Sequence, residues 1–549
     1  MKSILIIFLI LNLNSGRLKS QLSQEWIRSY NGPVNGNDEA LNHTIDNAGN
    51  VYAAGKIIGT ATGFDIYCVK YNSSGYILWE KIYNGPGNGN DIAYSITLDN
   101  SGNVYVAGES KGINTNNDFI LIKYNTDGDE QWNRRYNGES NSVDIPVKVV
   151  TDNSGYSIIS GISWEMSSLF DIVTIKYNSD GVQQWIKRYN NSGNVNEVAD
   201  DLAVDASGNI YVSGSSLGSG TLNDFVIIKY NINGDELWVN RYNGPVNGND
   251  NMTSLTLDVA GNVIVTGTSV GAGTSLDFAT IKYSPSGEEV WMKRYTTPTV
   301  NIEEPKAITN DADGNIYITG TTTGFSTSYD YMTVKYSAKG EEIWAKNYNG
   351  PSSFNFDEPG SVAVDNSGNV YVAGLSAGTG SMDDIVIVKY NSSGVESWVN
   401  RYNSPANRDD AARNITLDAL GNIIVSGIIT GAATGKDFAV IKFSQLTSVK
   451  ITSRENPSDY SLSQNYPNPF NPSTKIKFDI TQNERHKTQE VRLIVYDALG
   501  REVAALVNER LSTGSYEIEF NATAFASGVY FYKLRANDFS IVKRMTLLK

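Results

Sequence analysis

The sequence predicts an all-β protein, most of it one four-stranded unit repeated around a ring. Three observations predict this: a fixed period, short strand-like runs set off by turn residues, and one repeat split between the two ends of the array. A tryptophan returns at Trp26, Trp79, Trp132, Trp185, Trp238, Trp291, Trp344 and Trp398, a step of 53 residues with one extra in the last interval. An aspartate keeps the same step at Asp46, Asp99, Asp152, Asp205, Asp258, Asp311, Asp365 and Asp418. A period of this size marks an array in which each copy is one supersecondary unit.

In chain order, Lys2, the apolar run 4–13 and the small residues Ser15, Gly16 and Ser20 read as a secretory signal peptide over residues 1–20. The run is too short to span a membrane, and no other stretch reaches the ~20 residues needed. Export is expected, with no transmembrane segment once the signal is removed.

Residues 21–446 carry the repeats. One copy reads NMTSLTLD (251–258), NVIVTG (262–267), DFATIKY (277–283) and EEVWMKRY (288–295). Each run is short, rich in Val, Ile, Thr and aromatics, and bounded by Gly, Asn, Asp or Ser, as strands are. The first-to-second and third-to-fourth connections are tight hairpins such as DNSGN and YNTDG, whose glycine supplies a positive φ. The other two connections are longer. In an up-and-down meander alternate turns lie at opposite ends, so all long loops fall on one face. Runs such as FVIIKY (225–230) are apolar on both sides of the pleat, as in a sheet sandwiched between sheets.

Four-stranded sheets at this interval predict the blades of a β-propeller, with the tryptophan sealing each blade against the next. QEWIRSY (24–30) is a fourth strand that precedes any other, and the last repeat ends at DFAVIKFSQL (437–446) without one. The expectation is an eight-bladed β-propeller closed by an N-terminal outer strand, since closure removes the open edges of a linear array.

The pattern D-x-x-G-N-x-Y-V-x-G … D-F-x-x-x-K-Y-x-x-x-G-x-x-x-W resembles the bacterial SBBP-type β-propeller repeats. The third repeat departs from it, with Tyr156-Ser157-Ile158-Ile159. The resemblance implies a fold, not a reaction, and brings no catalytic residue with it.

Beyond the repeats, residues 447–460 are polar, contain Pro457 and read as a linker. Residues 461–549 alternate strands and turns and predict a small Ig-like β-sandwich of about seven strands. The order YPNPFNPST, YDALGREV, SGVYFYKL and a basic tail resembles the type A C-terminal sorting domain of the type IX secretion system. That resemblance implies the secretion machinery as partner, and a secreted or outer-membrane cell-surface location.

A net charge of −15, from 59 acidic and 44 basic side chains, argues against nucleic acid as partner. The single cysteine, Cys68, excludes an internal disulfide and reads as a buried small hydrophobe. Only His43 and His486 are present, in different expected domains, which disfavours histidine-based catalysis and metal binding. No cofactor motif is found.

Three charged columns repeat. Asp38, Asp91, Asp144, Glu197, Asp250, Glu303, Asp357 and Asp410 precede the first strands, and Asp65, Asp118, Asp171, Asp224, Asp277, Asp330, Asp384 and Asp437 precede the third. Lys70, Lys123, Lys176, Lys229, Lys282, Lys335, Lys389 and Lys442 lie within the third strands. Both acidic columns belong to the long-loop face, the first nearest a central channel, where they could bind a cation or a basic partner. Eightfold repetition favours a structural role instead: carboxylates fixing loop amides and pairing with Arg28, Lys81, Arg135, Arg188, Arg241, Arg294 and Arg401. Trp164 is outside the series, in an expected long loop, and is a candidate surface contact.

The expected function is binding or scaffolding, with a polysaccharide or surface protein recognised on the long-loop face. The alternatives are a carbohydrate-active enzyme using channel-mouth carboxylates and a purely structural surface component.

Overall fold

Residues 99–136 show how a repeat folds. Asp99 caps a tight hairpin, its Oδ1 accepting the backbone N–H of Ser101 and Asn103. Gly102, at φ 80°, supplies the left-handed turn residue. Val104–Lys111 then pairs with Asn117–Tyr124, and the latter with Glu130–Tyr136. Every residue from Asp118 to Tyr124 is buried, so both faces of this strand are covered.

The computed structural model describes residues 22–191, 195–297, 302–323, 328–352, 356–445, 450–453, 456–481, 488–522, 525–537 and 539–549. The expected signal peptide, 1–20, lies outside them. Among the described residues the only regular elements are β-strands, and no helix is long and apolar enough to cross a membrane.

The chain divides into two compact units, one of them Gln24–Ser444 and the other including Gln445–Lys549. In the first, seven antiparallel sheets each take four consecutive strands, consistent with β-propeller blades. One further sheet has the order Leu22–Tyr30, Lys436–Gln445, Ile423–Thr430, Ala411–Leu417, so its outer strand comes from the N-terminal end. The first strand of each sheet lies beside that of the next, and Ala411–Leu417 lies beside Glu39–Ile45.

Neighbouring sheets are joined by a repeated contact. Trp79 Nε1 donates to the carbonyl of Thr126 in the next sheet's third-to-fourth hairpin (3.1 Å), and Lys70 Nζ donates to the same oxygen (3.0 Å). Trp132 and Lys123 share Ser179 O, and Trp291 and Lys282 share Ala338 O, in the same way. Trp26 and Lys442 share Ser73 O, although they come from opposite ends of the unit. Trp398 faces a sheet that lacks this hairpin, because that sheet's fourth strand is Leu22–Tyr30. The lysine column is thus buried between sheets, except for the partly exposed Lys389. Lys176 is 1% exposed, pairs with Asp152 at 2.9 Å and lies over the Tyr156 ring. Cys68 is buried and unreactive in kind, its thiol pushed up by desolvation.

The second unit has two four-stranded antiparallel sheets sharing one core, with Phe478 and Ile518 from one sheet and Leu493 and Tyr532 from the other. Burial alternates along Ser473–Ile480, so each sheet has one covered face. The expected linker, 447–460, is corrected here. Lys450–Ser453 is a strand that pairs with Gly514–Asn521, and it brings the strands among the described residues of this unit to eight.

Candidate functional site

The first acidic column stands at the starts of the first strands and is enclosed. Asp38, Asp91, Asp144, Glu197, Asp250, Glu303, Asp357 and Asp410 are each at most 1% exposed. Six of them accept the backbone N–H of a residue in the preceding connection: Gly32, Gly85, Gly138, Gly244, Gly350 and Ser404, at 2.5–2.8 Å. Glu197 makes the same contact with the backbone N–H of Asn191 at a longer 3.3 Å, and Glu303 accepts the Thr297 hydroxyl. The second oxygen of Asp38, Asp91 and Asp410 accepts the N–H of Ile58, Lys111 and Thr430, where the second strand ends. These three carboxylates therefore tie the fourth-to-first connection to the second-to-third one, and both long connections meet at one end of the sheet. This burial fits the structural role that eightfold repetition favours over a cation or basic-partner site at a channel mouth.

Burial is also the leading cause of their proton affinity. Desolvation raises all eight, and carries Asp144 up to about 6 and Glu197 up to about 7. The third-strand aspartate of the preceding repeat adds repulsion, as Asp118 does on Asp144 and Asp171 on Glu197.

The second column, within the third strands, is braced by arginine. Arg135, Arg188, Arg241, Arg294 and Arg401 reach Asp118, Asp171, Asp224, Asp277 and Asp384 at 2.6–3.0 Å. Arg28 departs from expectation, since its guanidinium donates to Gly75 O and Ile27 O. In the first repeat the register of these arginines falls on Ile82 rather than Lys81, and in the sixth it falls on Asn347, which donates to Asp330. Asp65 and Asp437 are held by Thr62 and Thr434. Among the described residues no three His, Cys, Asp or Glu side chains converge as metal ligands would.

Trp164 is not in a long loop. It lies in the strand Ser157–Glu165, paired with Phe170, and is half-buried. This repeat turns back through Met166-Ser167-Ser168, and its second and third strands each run to nine residues. Met166, beside it, is 82% exposed.

Two features escaped sequence reasoning. Tyr329, which starts the strand Tyr329–Tyr336, and Phe356, on the connection just before the next repeat's first strand, stack with centroids 5.3 Å apart, and Phe356 is exposed. Neither belongs to a repeated column, so nothing in the period marks them. Asp200 is the extra residue where the register of its first strand shifts, and desolvation with repulsion from Asp201 pushes it up to about 8. The pair Asp200-Asp201, standing where other repeats have Tyr94-Ser95 or Val147-Lys148, was the available signal.

Comparison with known proteins agrees with this architecture. Residues 83–114 and 290–325 match the beta-propeller repeat SBBP, and residues 464–547 match the secretion system C-terminal sorting domain. An uncharacterized WD repeat-containing protein, L264, of Acanthamoeba polyphaga mimivirus is 22% identical over 62% of this chain. The match spans 30% of that relative's length. Among solved structures, the WD40 domain of SCAP from fission yeast (12% identity, TM-score 0.38) covers 77% of this chain and 98% of its own. Drosophila Plexin A in complex with Semaphorin 1b (8%, TM-score 0.34) covers 74% and 88%. Likenesses this distant bear on neither ligand nor activity. The chain thus carries SBBP-type β-propeller repeats and a type IX secretion system C-terminal sorting domain, and the latter marks it as a secreted or cell-surface protein.

Proposed function

We propose that residues 21–446 form an eight-bladed β-propeller closed by its N-terminal strand, and that it is a non-enzymatic module binding a cell-surface polysaccharide at its long-loop end. The C-terminal unit, an Ig-like sandwich in this reading, presents the chain to the type IX machinery. The observation that carries the ligand class is the contrast at one end of the sheets. The repeated carboxylates are enclosed, whereas the Phe356–Tyr329 stack and Trp164 stay accessible. Aromatic faces suit the apolar faces of sugar rings, and long connections on a rigid scaffold are where recognition concentrates.

Glycan arrays and surface pull-downs with the full chain test this. Retention of a polysaccharide, weakened at least tenfold by Phe356→Ala or Trp164→Ala, supports it. Capture of a surface protein alone would replace the ligand class, and no capture at all would leave the purely structural alternative. Asp200, protonated near neutrality beside Asp201, is the one observation favouring a carbohydrate-active enzyme. Sugar release that disappears in Asp200→Asn would establish it.

A further inference from the structure

One column of residues at the seams between sheets is uniform in kind except at one place. Five residues past the acid that starts each first strand stands an aliphatic side chain: Ile96, Val149, Leu202, Leu255, Ile308, Val362 and Ile415. At the remaining position, in the first repeat, stands His43. It is 2% exposed, and its ring reaches across to the last sheet. Nδ1 lies 2.7 Å from Ser426 Oγ and Nε2 lies 2.8 Å from Thr416 Oγ1. These partners are 383 and 373 residues away in the chain. Asn414 Nδ2 donates to Asn42 Oδ1 and to the carbonyl of His43 itself. The one histidine among the repeats thus sits where the two ends of the array meet.

We propose that His43 makes this seam acid-sensitive: uptake of one proton by its imidazole favours an open form in which Glu39–Ile45 parts from Ala411–Leu417 and Ile423–Thr430. Hydroxyl oxygens can accept from both ring nitrogens, so the hydrogen bonds survive protonation. The buried positive charge is what lacks a partner. On its own strand, Glu39 is already bound by Arg413 and Lys56. Asp38 accepts two backbone N–H groups, and Asp46 is taken up by Asn50 and Tyr52. Across the seam, Arg413 is the charged residue of Ala411–Leu417 and Ile423–Thr430 has none. Asp410 is capped by Ser404 and Thr430, Asp418 is held by Lys442, and Asp437 by Thr434. On the strand behind, Val51–Gly59, the titratable groups are Tyr52 and Lys56.

Desolvation alone pushes His43 down to about 3, and opening restores an ordinary value near 6.5. Between these values the open form binds more protons than the closed form. Acid therefore drives opening, by about fivefold in its equilibrium constant over the first pH unit below 6.5 and by close to tenfold per unit below that.

Hydrogen exchange on the full chain tests this, with rates corrected for intrinsic chemistry and compared at pH 6.5 and pH 5. Peptides covering Glu39–Ile45 and Ile423–Thr430 report the seam, and Asp144–Thr151 reports a control seam. Across this interval the seam's opening constant should rise about sixteenfold more in the native chain than in His43→Ile. The control peptide should show no such difference. His43→Gln, which keeps hydrogen-bonding groups without titrating, should behave as His43→Ile and serves if the latter does not fold. Equal pH dependence in the native chain and the folded variants overturns the proposal, as does extra opening spread evenly over all the seams.

Discussion

Two glycines with the same backbone and different surroundings isolate the contact between sheets. Gly128 (φ 84°) and Gly220 (φ 82°) are both left-handed, so alanine strains either by about 1–2 kcal/mol. A Cβ at Gly220 would meet nothing within 4 Å, whereas at Gly128 it would come 2.7 Å from the Trp79 ring of the preceding sheet. Relieving that clash means pushing the ring off the hairpin, which lengthens the Trp79 and Lys70 hydrogen bonds to Thr126 O. Overpacking costs about 1–3 kcal/mol and a weakened hydrogen bond about 1 kcal/mol. Gly220→Ala should therefore lose about 1–2 kcal/mol, and Gly128→Ala about 3–6 kcal/mol. All nine tryptophans lie in the repeat unit, so denaturation followed by tryptophan fluorescence reports that unit alone. Equal losses at the two positions would refute the packing of Trp79 against Gly128 as the element that joins sheets.

Further expectations concern the buried charges. Lys176→Met should cost about 3–5 kcal/mol in the same assay, because Asp152 would be left charged and enclosed; a neutral result would contradict the pairing. Asp99→Ala removes the acceptor for two backbone N–H groups, Asn103 Nδ2 and the Tyr105 hydroxyl. It should cost about 1–3 kcal/mol, measured by urea midpoint. Glu197 has its folded value raised to about 7 from an ordinary 4.5, so the folded state holds the proton longer than the unfolded state does. Stability should therefore fall as pH rises from about 4.5 to about 7, and Glu197→Gln should flatten that slope. A slope unchanged in the variant would show that Glu197 does not titrate in this range.

The repeat was legible because its signals are local. Turn glycines, capping aspartates and strand composition sit within a few residues of one another and recur. The acidic columns were visible as columns, but their partners were not. The groups that enclose Asp91 lie six residues before it and twenty after, at Gly85 and Lys111, and only the folded sheet brings them together. Lys450–Ser453 passed for linker because it is short and polar, and because its pairing partner, Gly514–Asn521, is remote in sequence. Trp164 was placed in a loop by analogy with repeats whose second strand ends sooner. His43 breaks an aliphatic column that could have been read from the sequence. Its pairing with Ser426 depends on the meeting of the two ends.

Closure by the N-terminal strand is tested most directly by amide hydrogen exchange along Leu22–Tyr30. If this strand completes the sheet of Ala411–Gln445, its amides will be protected to the same degree as those of another outer strand, Ile77–Tyr83. Exchange of Leu22–Tyr30 at the rate of an unstructured chain, with Ile77–Tyr83 still protected, would contradict it.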